Sequence, residues 1–138
     1  MSVEVVLTED AKADLRALAD RNLQRIALQW MQRLRRSPSI GQRLEWRSGR
    51  DLRECSKLYF DEDDTPLELN YVPAKRVADR PRYRIVYRLL PDEERATHAQ
   101  ILGVGPKRDR DGGVYSSVAR RLDEGVPDPT LPVDDADE

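Results

Sequence analysis

Between residues 82 and 88 the chain runs Arg-Tyr-Arg-Ile-Val-Tyr-Arg. A period of two puts Tyr83, Ile85 and Tyr87 on one face of an extended strand, and Arg82, Arg84, Val86 and Arg88 on the other. A polar break at 91–95 follows, then the apolar run Ala99-Gln100-Ile101-Leu102-Gly103-Val104-Gly105, a buried strand closed by glycine. The two segments, 82–90 and 97–104, predict a hairpin. Upstream the period changes. Leu23, Ile26, Ala27, Trp30, Met31 and Leu34 recur at helical spacing opposite a face of Arg21, Arg25, Arg33 and Arg35, and Ser37-Pro38 ends the helix. Ala11, Leu15, Leu18 and Ala19 form an earlier, weaker stripe after Thr8, an N-cap residue, with Glu9 and Asp10 in the first turn. The two stripes, broken at 20–22, predict a helical hairpin.

The remaining segments are shorter. Residues 3–7 read as a strand, and 41–49 as a connection holding Leu44 and Trp46. Residues 52–60 read as a strand, with Leu52, Leu58 and Phe60 on the face of Glu54 and Ser56, and Arg53, Cys55, Lys57 and Tyr59 on the other. Segment 61–81 is long for a loop, with room for a small strand at 67–72. After Gly112-Gly113, residues 114–122 predict a short helix with Val118 and Leu122 inward. The expected fold is α+β: an N-terminal α-hairpin packed on a small, mostly antiparallel twisted sheet, with a short C-terminal helix. On this reading the second sheet face is open and carries Arg53, Lys57 and Arg84. Residues 1–124 are one domain; residues 125–138, rich in Pro and Asp, are an acidic tail expected to be disordered.

Charge sharpens this picture. The net charge is -2, but residues 125–138 hold five acids and no Lys or Arg. Setting them aside leaves 24 basic and 21 acidic side chains, so the folded part is mildly basic. Only Lys12, Lys57, Lys75 and Lys107 among the 24 are lysines; the guanidinium fork matches phosphate and carboxylate. One cysteine (Cys55) and one histidine (His98) exclude a disulfide within the chain, a Cys-based metal site and a pair of catalytic histidines. No apolar run reaches membrane-span length, and the N-terminus has no secretory pattern, so a cytoplasmic location, no membrane association and no cofactor are expected. There is no GxGxxG, P-loop, Gly-x-Ser-x-Gly or EF-hand spacing.

RNA cleavage needs neither metal nor histidine. The 2′-hydroxyl attacks the adjacent phosphate in line, and the protein holds that geometry, stabilises the added negative charge and manages two protons. Arg84, Arg108, Lys107 and Tyr115 provide side chains of those types, and Arg53 and Lys57 add positive charge. Each also has a plain alternative: an outward strand arginine, a solvated loop, a packed tyrosine.

In order, Val6-Leu7-Thr8-Glu9-Asp10-Ala11, Asp51-Leu52-Arg53-Glu54, Tyr83-Arg84-Ile85-Val86-Tyr87, Val104-Gly105-Pro106-Lys107-Arg108, Val114-Tyr115 and Ala119-Arg120-Arg121 resemble the RelE/ParE superfamily of toxins from type II toxin–antitoxin systems. The resemblance spans roughly residues 3–122. It implies a microbial-ribonuclease-like fold, a cognate antitoxin as partner and, in one branch, metal-independent cleavage of translated mRNA on the ribosome. By motif it implies that Arg84 contacts the scissile phosphate, that Arg108 stabilises charge or protonates the leaving group, and that Tyr115 orients or activates the nucleophile. The basic pair on the preceding strand maps onto Arg53 with Cys55, or onto Lys57. The alternatives are a ParE-like inhibitor of DNA gyrase and a toxin-fold binding protein without catalysis.

Overall fold

The structure, a computed structural model, describes residues 2–18, 20–44, 46–47, 50–61, 82–107, 113–127 and 129. The chain order is β1 (Glu4–Leu7), α1 (Glu9–Ala17), α2 (Arg21–Arg36), β2 (Gln42–Arg43), β3 (Trp46–Arg47), β4 (Arg50–Asp51), β5 (Cys55–Phe60), β6 (Tyr83–Leu90), β7 (His98–Pro106) and α3 (Gly113–Glu124). Five strands form one sheet in the order β1-β7-β6-β5-β2, and β3 and β4 make a separate two-stranded ribbon. Only the β1–β7 pairing is parallel within the large sheet. The expected α+β architecture holds. The proposed small strand at 67–72 lies outside the described residues.

Local chemistry sets the helix ends. Thr8 Oγ1 accepts from the Ala11 N–H at 3.0 Å, and Asp20 Oδ1 from the Asn22 N–H at 2.7 Å, so each helix starts on a side chain that satisfies an otherwise orphaned donor. The stripe of α2 is buried as its spacing predicts, from Leu23 to Leu34, against Leu58, Phe60, Ile85, Tyr87, Ala99, Ile101 and Val104 of the sheet. Such side chains contribute about 1.5–3 kcal/mol each when removed from water. On the other face Leu44, Leu52, Cys55, Val86, Leu102, Val114, Tyr115 and Val118 make a second cluster.

That second cluster corrects the expectation of an open face. Helix α3 lies across β7 and part of β6, burying Val114, Tyr115, Val118 and Ala119, a broader stripe than Val118 and Leu122 alone. A bulge makes this possible. Val86 pairs with Gly103 but Tyr87 with Ile101, so Leu102 is the extra residue, and Leu102 and Gly103 both turn toward α3. A Cβ at Gly103 would sit 2.7 Å from Val118 Cγ2 and 3.1 Å from Val114 Cγ2, so glycine permits the close approach. Leu52 also departs from its expected face. A turn at Arg53 and Glu54 interrupts the alternation, and Leu52 joins the second cluster instead of the first.

Tyr87 links the sheet to the segment after α2. Its buried hydroxyl donates to the Pro38 carbonyl at 3.1 Å and accepts from the Gly41 N–H at 3.1 Å. Burial pushes its pKa from 10.0 up to about 12, against the lowering effect of the Gly41 bond. The neutral phenol is therefore the form the fold selects. Stabilisation by this group is complete below pH 10 and is lost as pH rises from 10 towards 12, a change of about 2–3 kcal/mol. Tyr87→Phe is expected to cost about 1–2 kcal/mol at neutral pH and to flatten the alkaline loss. Urea unfolding of both chains between pH 7 and pH 11.5 checks this; parallel stability–pH curves would contradict it.

Candidate functional site

On the second sheet face the first turn of α3 meets side chains of β5 and β6. Cross-strand register decides what meets there. Tyr59 of β5 opposes Arg84 of β6, which opposes Gly105 of β7; one step back, Gln42 of β2 opposes Lys57, which opposes Val86. Residues 57, 59 and 84 therefore share one face.

Arg84 is the centre of the group. Although charged, it is only 5 % exposed. Its Nε donates to the Tyr115 hydroxyl at 3.1 Å and its Nη1 to the Tyr83 carbonyl at 3.0 Å. Its Cζ lies 4.3 Å from the centroid of the Tyr59 ring. A buried guanidinium is tolerated when its donors and its charge are both met, here by oxygens and a π face. Tyr115, on the first turn of α3, is equally buried. Helix α3 starts at Gly113, whose φ of 83° belongs to the left-handed region that favours glycine. Lys57, half-buried, sets its Nζ 5.1 Å from the Tyr59 ring centroid and 6.0 Å from that of Tyr115. The Tyr59 hydroxyl donates to Gln42 Oε1 at 2.8 Å.

The structure thus brings together Arg84, Tyr115 and Lys57. Lys107 lies one residue beyond β7, half-buried, with its N–H donating to the Arg82 carbonyl at 2.8 Å; it is two residues from Gly105, the partner of Arg84. Arg108 lies outside the described residues. Arg53 is not brought in. It is exposed in the turn before β5, whose first residue Cys55 opposes Arg88; four strand residues, about 13 Å, separate Cys55 from Tyr59. Tyr59 and Gln42 are the additions to the expected set. Alternation puts Tyr59 on the face of Lys57, but its contact with Arg84 depends on a β5–β6 register that no local pattern states.

Arg82, just before β6, and Arg88, within it, have structural partners. Arg82 donates to the buried carboxylate of Asp61, from Nη2 to Oδ1 at 3.0 Å and from its N–H to Oδ2 at 2.9 Å. Arg88 bonds Gln100 Oε1 at 2.8 Å, Glu54 Oε2 at 3.3 Å and the Val126 carbonyl at 3.3 Å, while Gln100 Nε2 donates to the Pro127 carbonyl at 2.9 Å. The first residues of the acidic segment, expected to be disordered from 125, are held against the sheet because these two side chains satisfy their carbonyls. His98 pairs with Leu90, at the far end of β7 from Arg84. Among the described residues no group of three or more His, Cys, Asp or Glu is placed to hold a metal ion, and no helix is long and apolar enough to cross a membrane.

The position of Tyr115 depends on a clamp across β7. Strand β1 pairs β7 only as far as Leu7 with Ile101. Beyond that point Asp14 of α1 and Arg121 of α3 cover the strand. Arg121 Nη1 donates to the Leu102 carbonyl at 2.9 Å, Asp14 Oδ2 accepts from the Val104 N–H at 3.1 Å, and Nη1 and Nη2 of Arg121 bond the two Asp14 oxygens at 2.7 and 2.8 Å. The bond to Asp14 pushes the Arg121 pKa further above its ordinary value, against partial burial.

No family model and no curated protein sequence matches the chain. Solved structures do. A mutant of the E. coli toxin RelE in the free state superposes with a TM-score of 0.56 over 88 % of this chain and 99 % of that one, at 18 % identity. The RelBE2 toxin–antitoxin complex of Mycobacterium tuberculosis aligns over 75 % of this chain and 96 % of that one, at 24 % identity and a TM-score of 0.48. The chain has the RelE toxin fold.

Removing Asp14 leaves the partly buried Arg121 charge and the Val104 N–H without that partner. Asp14→Ala is expected to destabilise the fold by about 2–3 kcal/mol, read as a shifted urea midpoint at unchanged slope; a loss below about 0.5 kcal/mol, the usual range for an exposed pair, would contradict the clamp.

Proposed function

We propose that this chain is the toxin of a type II toxin–antitoxin pair and a metal-independent endoribonuclease that cuts mRNA on the ribosome. The observation that carries the reading is the Arg84–Tyr115 hydrogen bond at 3.1 Å, with the Lys57 ammonium 6.0 Å from the centroid of the same phenol ring, at the first turn of α3. A guanidinium and an ammonium next to an oriented phenol match the demands of an in-line phosphoryl transfer.

In this reading the 2′-oxygen bonds to phosphorus while the bond from phosphorus to the 5′-oxygen breaks, leaving a 2′,3′-cyclic phosphate and a 5′-hydroxyl. Arg84 and Lys57 hold the phosphate oxygens as their charge grows. Tyr115, fixed by Arg84, orients the 2′-hydroxyl and relays its proton to water as the phenol gives up its own, and water returns a proton to the departing 5′-oxygen. Arg108 meets the leaving oxygen, and Lys107, one residue beyond the partner strand of Arg84, meets the adjacent phosphate. Arg53, away from this cluster, adds to the positive field that draws RNA in. A ribosome-bound substrate places the work in the cytoplasm, and the cognate antitoxin is the partner that restrains it.

A bacterial cell-free translation reaction tests this. Purified chain is expected to produce ribosome-dependent cuts within codons, mapped by primer extension. Arg84→Ala is expected to slow cleavage by about 10²–10³-fold and Tyr115→Phe by about 10²-fold or more. Intact mRNA with gyrase-dependent DNA breaks would overturn the nuclease reading in favour of gyrase inhibition.

A further inference from the structure

Lys57 and Arg84 are like charges on adjacent strands, sharing one face with one residue interposed along β5. At such spacing two cations repel and tend to splay into water. In this fold both lie against the Tyr59 ring, whose centroid is 4.3 Å from Arg84 Cζ and 5.1 Å from Lys57 Nζ. One π cloud attracts both cations, so the ring offsets part of their repulsion. The ring is itself fixed: its hydroxyl donates to Gln42 Oε1 at 2.8 Å, and Gln42 stands directly opposite Lys57 on the edge strand β2. The order Gln42, Tyr59, then Lys57 with Arg84 is a chain of support running from the sheet edge to the two cations.

We propose that Tyr59 is a positioning residue that holds Arg84 and Lys57 as one preformed cradle for a phosphate of single-stranded RNA, with Gln42 fixing the ring. The inference rests on the phosphodiester reading of the same site and adds an aromatic support to it. Tyr59 acts through the cations: its contribution depends on their presence, and its aromatic face matters more than its hydroxyl.

The test is a double-mutant cycle with an uncleavable probe, a 2′-O-methylated RNA octamer, its binding to the full chain followed by fluorescence anisotropy over a range of salt. Tyr59→Leu is expected to weaken binding about tenfold and to lower the slope of log affinity against log salt by about 0.7, one single-strand phosphate contact. Tyr59→Phe, which keeps the ring, is expected to recover most of that loss. In the Lys57→Ala, Arg84→Ala background, Tyr59→Leu is expected to change affinity less than twofold, since coupled residues are not additive. Equal losses in both backgrounds would overturn the proposal, because the ring would then touch RNA directly. So would a Tyr59→Phe chain that folds by its thermal transition yet binds as weakly as Arg84→Ala. An intact cycle with no cleavage of translated mRNA would overturn the nuclease reading alone; active cleavage with an additive cycle would overturn the role of Tyr59 alone.

Discussion

A β-strand that outruns its neighbour leaves backbone groups with nothing to bond, and β7 does so after Ile101. Asp14 and Arg121 resolve this by standing where a strand would be, one accepting from the Val104 N–H and the other donating to the Leu102 carbonyl. The two side chains come from helices on opposite faces of the sheet, so the same ion pair ties both layers to β7 at one point. Gly103 makes room for it: a Cβ there would lie 3.2 Å from Arg121 Nη1. The register of α3 against the sheet, and with it the place of Tyr115 over Arg84, follows from this clamp and from the bulge beside it.

The candidate site then solves a second problem, how to keep a guanidinium charged and nearly buried. Arg84 has oxygens for its donors and an aromatic face for its charge, with Lys57 close by. A cation held in this way costs little reorganisation when a phosphate arrives, because protein dipoles already stand where water would have to turn. The neighbouring arginines show the contrast. Arg82, just before β6, and Arg88, within it, are bound to Asp61 and to Gln100 with Glu54, and join segments of the chain.

Much of the fold was legible because local rules and tertiary packing agree. Period two from 82 to 88 assigned both faces of β6, and the stripe from Leu23 to Leu34 is the buried face of α2. Thr8 caps its helix as its chemistry requires. Failures occur where a contact depends on distant partners. Nothing local distinguishes Leu102 as a bulge, so α3's cover of the second face was missed. Nothing local places Tyr59 opposite Arg84 or detaches Arg53 from Lys57, because the turn at Arg53 and the β5–β6 register are set by long-range pairing. Arg84, Lys57 and Tyr115 were legible as chemistry; their support by Tyr59 and Gln42 was not.

If this constellation directs a 2′-hydroxyl onto its own phosphate, the ends of the cut RNA report on that step directly. Fragments recovered from a translating reaction should carry 5′-hydroxyls and 2′,3′-cyclic phosphates, so that downstream pieces accept a 5′-label from a kinase without prior phosphatase, and a single 2′-deoxy substitution at the cut position should abolish cleavage there. Fragments with 5′-phosphates, or undiminished cutting at the 2′-deoxy position, would contradict it, because the attacking oxygen would then come from water.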